Sequence, residues 1–195
     1  MTTDPATDDR ILVDDARRGS RDAIGALIER YSPGLFRYLI HLSGDPVLAE
    51  DLLQDTWLRV MERLDSYRRG HPFRNWLYAV ARNHAFDILR QRSRHMQHKP
   101  SGTAERPTNP AEEVPDPRPS VLEDLAEADL ARCVRKAMET LPAVFREVLT
   151  LRFEQALEID AIGRILGLSA STVKDRLYRG LDQLRLRTER LAKHG

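Results

Sequence analysis

Six of the eleven prolines (Pro100, Pro107, Pro110, Pro115, Pro117 and Pro119) fall between Met96 and Ser120, a stretch with almost no large apolar side chains. Such a stretch cannot bury enough surface to offset its ordering entropy, so it reads as an extended, flexible linker. Both flanks carry apolar residues at helical spacing, and neither shows the alternation of a half-buried strand. The expectation is an all-α chain of two small helical domains joined by a Pro-rich linker. Its parts are an acidic N-terminal tail over 1–19, a first domain over 20–95, the linker over 96–120 and a second domain over 121–195.

In the first domain, Ile24, Leu27, Ile28 and Tyr31 share one helix face. Ser32-Pro33 reads as a cap and first-turn proline that restarts a helix with Leu35, Tyr38, Leu39 and Leu42 inward. After Gly44-Asp45-Pro46, a third stripe runs from Ala49 through Leu52, Leu53, Trp57, Val60 and Met61 to Leu64. A fourth runs from Phe73 through Trp76, Leu77, Val80, Ala81 and His84 to Ile88. The second domain opens on Leu122, Leu125, Val134, Met138 and Leu141, stopped by Pro142. Val144, Val148, Leu149 and Phe153 form its next stripe, followed by two units over 159–166 and 170–191.

Those last two units are separated only by Gly167-Leu168-Ser169, which is the spacing of a helix-turn-helix. Gly167 supplies the left-handed residue that ends the first helix, and Ser169 caps the second. Gly163 sits where the two helices cross and Val173 anchors the second. The outward face of that second helix presents Ser171, Thr172, Lys174, Asp175, Arg176, Tyr178 and Arg179. From Arg164 to Lys193 there are eight Lys/Arg against three Asp/Glu, a local net of +5 within a chain whose overall net is only +1. That is an electrostatic footprint for duplex DNA. Lys174, Asp175 and Arg179 suit base edges, whereas Thr172, Arg176 and Arg185 suit phosphates.

The first domain pairs two contrasting surfaces. Five of the twelve aromatics (Tyr67, Phe73, Trp76, Tyr78 and Phe86) cluster beside a basic stripe running from Arg82 through Arg90, Arg92 and Arg94 to Lys99. Aromatics beside cations suit stacking of unpaired bases along a phosphate strand, although Phe73 and Trp76 serve equally well as core. Tyr78 and Asn83 fall off the apolar stripe and are expected to face solvent, where Asn83 could pair with the edge of an extruded base. The preceding helix is acidic, with Glu50, Asp51, Asp55 and Glu62 around Gln54. It reads as a docking face for a basic partner or as a solvated face.

Other classes find little support. The single cysteine, Cys133, leaves no disulfide framework and no CxxC site, and no apolar run approaches the ~18 residues of a membrane span. The acidic N-terminus is unlike a secretory signal. No phosphate loop, HExxH, GxSxG or dinucleotide fingerprint is present, so neither an enzyme nor a cofactor is advertised.

Taken in order, these motifs resemble those of bacterial group IV sigma factors, the extracytoplasmic-function (ECF) branch of the sigma-70 family, from about Ser20 to Leu191. Ala49 to Trp57 resembles region 2.2, which implies that Asp51, Gln54, Asp55 and Trp57 dock on the polymerase β′ coiled coil. Phe73 through Asn83 to Asp87 is similar to regions 2.3 and 2.4, which implies −10 contacts from Tyr67, Arg74, Asn75, Trp76, Tyr78, Arg82, Asn83, Arg90 and Arg92. Leu141-Pro142, Arg146 and Leu151-Arg152 resemble region 4.1. Gly167 to Leu184 resembles region 4.2, which reads the −35 element.

The resemblance implies a cytoplasmic, non-enzymatic initiation factor without membrane insertion. Its implied partners are the β′ and β subunits of core polymerase, duplex and single-stranded promoter DNA, and an anti-sigma factor. Asp175 stands where the family usually has a small polar residue, and Gly163 replaces the usual alanine. No room is left for regions 1.1 and 3 or for a sensory tail, so sensing is expected in another chain. Two other readings stay open: an adaptor that mimics a sigma factor to sequester an anti-sigma protein, and a dimeric helix-turn-helix repressor. The adaptor has no use for the basic recognition helix, and the repressor leaves the aromatic cluster and acidic helix without a role.

Overall fold

The computed structural model describes residues 5–97 and 123–194, and every regular element among them is helical. The elements are α1 (Pro5–Arg17), α2 (Arg21–Ser43), α3 (Pro46–Arg63), α4 (Phe73–Gln97), α5 (Glu123–Thr140), α6 (Ala143–Leu149), α7 (Ile159–Leu166) and α8 (Ala170–His194). A 3₁₀ turn (Leu64–Ser66) follows α3, and a π-helical turn (Thr150–Glu154) follows α6. Apart from its first two residues, the linker expected over 96–120 lies outside the described residues.

Residues 1–19 were expected as an acidic tail, but their described part forms α1, which packs on α2. Val13 and Ala16 are buried there. Asp9 is buried too, accepting from Tyr31 Oη and from Arg30 at 2.7 Å. Arg17 closes the far end by donating to the carbonyls of Leu64, at 2.9 Å, and Tyr67. The acidic composition hid a short apolar stripe, in which Val13 and Ala16 lie three apart and face α2.

The restart expected at Ser32-Pro33 does not occur, and α2 runs through Pro33 for 23 residues. Proline removes one backbone donor and usually kinks or ends a helix. Packing overrides it here: Leu27, Leu35, Tyr38 and Leu39 are all buried on the same helix. Ser32 is no cap either, since its Oγ accepts from Trp57 Nε1 at 3.0 Å. True caps stand at the ends, with Ser20 accepting from Ala23 N–H and Asp45 from Val47 N–H.

In the second half α5 and α6 pack on α8, and α7 meets α8 at the tight turn. Phe153, expected in the inward stripe, is 61% exposed, and Val144 is exposed as well. For Phe153 the π-helical turn explains this, because its wider i→i+5 turn shifts the helical phase by one residue; Val144 lies before it, in the first turn of α6. Thr150 and Leu151 are buried, and Phe153 is rotated out. The same phase shift turns Gln155 inward, to 2% exposure.

The two halves pack against each other, with α2 meeting α6 and the π-helical turn, and α4 meeting α7. Buried side chains from both halves therefore form one continuous apolar cluster.

Candidate nucleic-acid and polymerase interfaces

Three surfaces concern function. The first is α3. Its apolar face (Leu48, Leu52, Val60) is buried, which turns Asp51, Gln54 and Asp55 outward together. Exposed Val47, Leu58 and Met61 give the same helix an apolar component that composition alone did not flag. Trp57, expected with the docking residues, is instead buried at 7% exposure and held by its bond to Ser32. It fixes α3 onto α2 rather than presenting itself.

Helix α4 is the second. Leu77, Ala81 and Ala85 form its innermost line, at 0% exposure. Asn83, Arg90 and Arg92 are exposed, whereas Arg74, Asn75 and Trp76 are half-buried. Tyr67 is buried, its ring 5.6 Å from both Phe73 and Trp76, and its hydroxyl donates to the His71 carbonyl. The ring cluster that sequence offered as a stacking platform is thus largely an internal aromatic core, which Tyr31 joins 5.8 Å from Phe73.

Tyr78 differs most from expectation. It lies off the stripe of its own domain, as its spacing says, yet it is only 1% exposed. The second half covers it. Tyr78 Oη donates to Gln155 Oε1, and burial pushes the phenol's pKa up to about 12. One turn on, Arg82 Nε donates to Glu147 Oε1 at 2.7 Å while its guanidinium stacks 4.5 Å over the Phe86 ring. Tyr38 of α2 donates to the same Glu147 oxygen at 3.1 Å. Burial beside that carboxylate holds the Tyr38 phenol well above its ordinary pKa. Sequence reasoning missed Tyr38, Glu147 and Gln155, because a lone carboxylate on a short helix ordinarily faces water.

The helix-turn-helix is the third surface. Gly167 adopts φ 67° and closes α7, its N–H bonding the Gly163 carbonyl. Ser169 Oγ accepts from Thr172 N–H at 3.2 Å, capping α8 as its sequence suggests. Val173 and Leu177 are buried, so the opposite face of α8 points outward. On it Ser171, Lys174, Asp175, Tyr178 and Arg179 are exposed, and Thr172 and Arg176 are half-buried. Asp175 and Arg179 pair at 3.5 Å across one turn of this face. A Cβ at Gly163 would lie 2.8 Å from the Leu168 carbonyl oxygen. The turn therefore folds back on α7 more closely here than alanine allows.

An acidic helix, a basic helix beside an aromatic core and a helix-turn-helix stand in that order along one chain. The Sigma-70 region 2 family matches residues 27–95, and the Sigma-70 region 4 family matches residues 137–186. CarQ of Myxococcus xanthus, an RNA polymerase sigma factor, is 31% identical over 170 residues, 87% of this chain and 91% of its own. The chain belongs to the ECF branch of the sigma-70 family.

Other sigma factors resemble it similarly. SigL of Mycobacterium tuberculosis is 31% identical over 85% of this chain and 89% of its own. BldN of Streptomyces coelicolor is 33% identical over 89% of this chain, which spans about three fifths of BldN's length (63%). Among solved structures, the Bartonella quintana sigma factor RpoE, in complex with the anti-sigma factor NepR, is 25% identical and superposes with a TM-score of 0.68 over 85% of this chain and 96% of that one. The region 2 match takes in α3 and nearly all of α4, and the region 4 match takes in α6, α7 and most of α8. Among the described residues no helix is long and apolar enough to cross a membrane, and no cluster of side chains could hold a metal ion.

Proposed function

We propose that this chain is a dissociable, promoter-reading subunit of bacterial RNA polymerase, which acts in the cytoplasm and leaves the chemistry to the core enzyme. The observation that carries the reading is the division of labour between α3 and α8 within one family framework. Asp51, Gln54 and Asp55 turn outward on an acidic helix, and Lys174, Asp175 and Arg179 turn outward on a capped recognition helix. The first suits the β′ subunit, with β as a further contact. The second suits the major groove of the −35 element, where cationic side chains read guanine edges.

Between them, α4 offers Asn83 to an unpaired −10 base and Arg90 and Arg92 to the phosphate strand. A helix that captures bases once they are extruded shifts the melting equilibrium toward the open complex. Control by an anti-sigma factor is supported by the likeness to RpoE, which was solved with such a partner. The basic, exposed face of α8 favours this reading over a sigma-mimicking adaptor. The experiment is transcription with purified core polymerase on a randomised promoter library. Enrichment of a two-element motif is the expected outcome, and core polymerase initiating no better with the chain than without it overturns the reading.

A further inference from the structure

Glu147 is the most telling side chain in the molecule that the proposed function leaves unused. It is a carboxylate at 6% exposure, and both donors that hold it come from the other half of the chain. Arg82 Nε reaches it at 2.7 Å and Tyr38 Oη at 3.1 Å. The Tyr38 and Tyr78 rings pack 5.3 Å apart beside it, and Phe86 backs the Arg82 guanidinium. Burying a lone carboxylate is costly unless charge and hydrogen bonds compensate, so this cradle is built for an anion. Its donors stand on α2 and α4, with Arg82 immediately before the exposed Asn83 in the sequence. A guanidinium and a phenol hydroxyl are what a phosphodiester requires, and the tilted Tyr38 and Tyr78 rings beside them offer an aromatic wall to a neighbouring unpaired base.

We propose that Tyr38 and Arg82 form a backbone-phosphate subsite for single-stranded DNA, and that Glu147 occupies it as a built-in phosphate mimic. This rests on α4 being the strand-capturing helix, and it adds Tyr38 as a DNA-binding residue and Glu147 as the competitor. The plug is seated by two further contacts between the halves. Tyr78 Oη bonds Gln155 Oε1, and His41 Nε2 lies 3.0 Å from Glu154 Oε1. Gly34 makes room for the first of these, since a Cβ there would stand 2.8 Å from Gln155 Oε1 and 3.0 Å from Tyr78 Oη. When α6 and the π-helical turn lift away, one movement uncovers Tyr78, Tyr38 and Arg82 together. Strand binding and packing of the two halves are then mutually exclusive, because both need the same two donors, Tyr38 and Arg82.

The test uses the full chain, small-angle scattering to report separation of the halves, and a dye-labelled abasic 12-mer that offers phosphates without bases. Glu147→Leu leaves Arg82 and Tyr38 without an acceptor in the packed state. Gly34→Leu wedges the halves apart with Glu147 intact, and circular dichroism confirms that each variant is folded. Glu139→Gln, on the exposed face of α5, controls for the change in net charge.

Expected results are a larger radius of gyration and at least fivefold tighter abasic-strand binding for both opening variants, with neither effect in the control. Adding Tyr38→Phe to Glu147→Leu should cancel at least half of the gain with the salt slope unchanged, because a phenol is neutral. Adding Arg82→Gln instead should also flatten the salt dependence by about 0.7 in log–log slope, the value for one phosphate on a single strand. Opening without tighter binding overturns the subsite, and an unchanged radius in Glu147→Leu overturns the plug. If the abasic strand binds as expected while Asn83→Ala leaves −10 preference untouched in transcription, the subsite stands and the base-reading role of α4 fails.

Discussion

His84 of α4 turns its Nε2 to within 3.2 Å of Asp55 Oδ2 on α3, tying α4 to a carboxylate of the proposed docking face. The ring is buried, and its Nδ1 has no hydrogen-bond partner. Burial, reinforced by Arg59, holds its pKa below the usual 6.5 against the opposing pull of Asp55 and Asp87. The unfolded chain therefore binds a proton before the folded one does. Stability is fully present above about pH 6.5 and is lost as pH falls from there toward the depressed folded value, at no more than ~1.4 kcal/mol per pH unit for one proton. Urea unfolding between pH 5 and 7.5 should show this slope, and His84→Phe should reduce it. An unchanged slope in that variant would assign the acid sensitivity to other groups.

Polymerase docking should depend on charge rather than on the fold of α3. Asp51 and Asp55 are exposed one turn apart, and their reversal costs the Asp55–His84 contact but leaves the buried apolar face of α3 intact. Asp51→Lys with Asp55→Lys should abolish assembly with core polymerase in a pull-down, while helicity and −35 duplex binding persist. Trp57→Ala should behave otherwise. It truncates a buried ring and orphans the Ser32 hydroxyl, so a loss of ~3–5 kcal/mol is expected, read as a lower unfolding midpoint. Assembly at wild-type strength by the double lysine variant would rule out α3 as the docking face.

Gly163→Ala should destabilise the chain although alanine favours helices. Better propensity is worth ~1 kcal/mol. Against that stands a 2.8 Å approach to a backbone oxygen, which no side-chain rotation relieves. Overpacking of this kind costs ~1–3 kcal/mol. The net should be a small loss in thermal stability and weaker −35 duplex binding, because the turn that sets α8 against α7 must shift. A rise in melting temperature with full duplex affinity would mean that the turn relaxes freely.

The helix-turn-helix was legible almost residue for residue, because its signals are local: a left-handed glycine, a serine cap and a branched anchor. Its first helix was expected over 159–166 and observed as Ile159–Leu166. Features set by packing at long range were not. Pro33 reads as a boundary locally, and only the burial of Leu35, Tyr38 and Leu39 beyond it keeps α2 continuous. The π-helical turn leaves no compositional mark, yet it reverses the fates of Phe153 and Gln155. Tyr78 shows the limit most clearly. Its spacing placed it outside its own domain's core, and what covers it lies 77 residues further along the chain.

The DNA-reading surfaces should fail in different ways. Arg179→Ala removes a base-edge contact in duplex DNA and also frees Asp175 from a pair in which both partners are exposed. Losing that pair matters little, so the expected cost of ~1–3 kcal/mol reports the base contact and relaxes preference at one −35 position. Arg92→Ala, exposed on α4, should weaken binding evenly across sequences and flatten the salt dependence by roughly one unit. Asn83→Ala should act mainly at strand opening. Its defect should shrink on a promoter already mismatched across the −10 element, since the cost of unpairing is then removed. Salt-titrated binding and open-complex yield on matched and pre-melted templates separate the three. Equal losses for Asn83→Ala on both templates, with no change in −10 preference, would show that the residue supports α4 and does not capture a base.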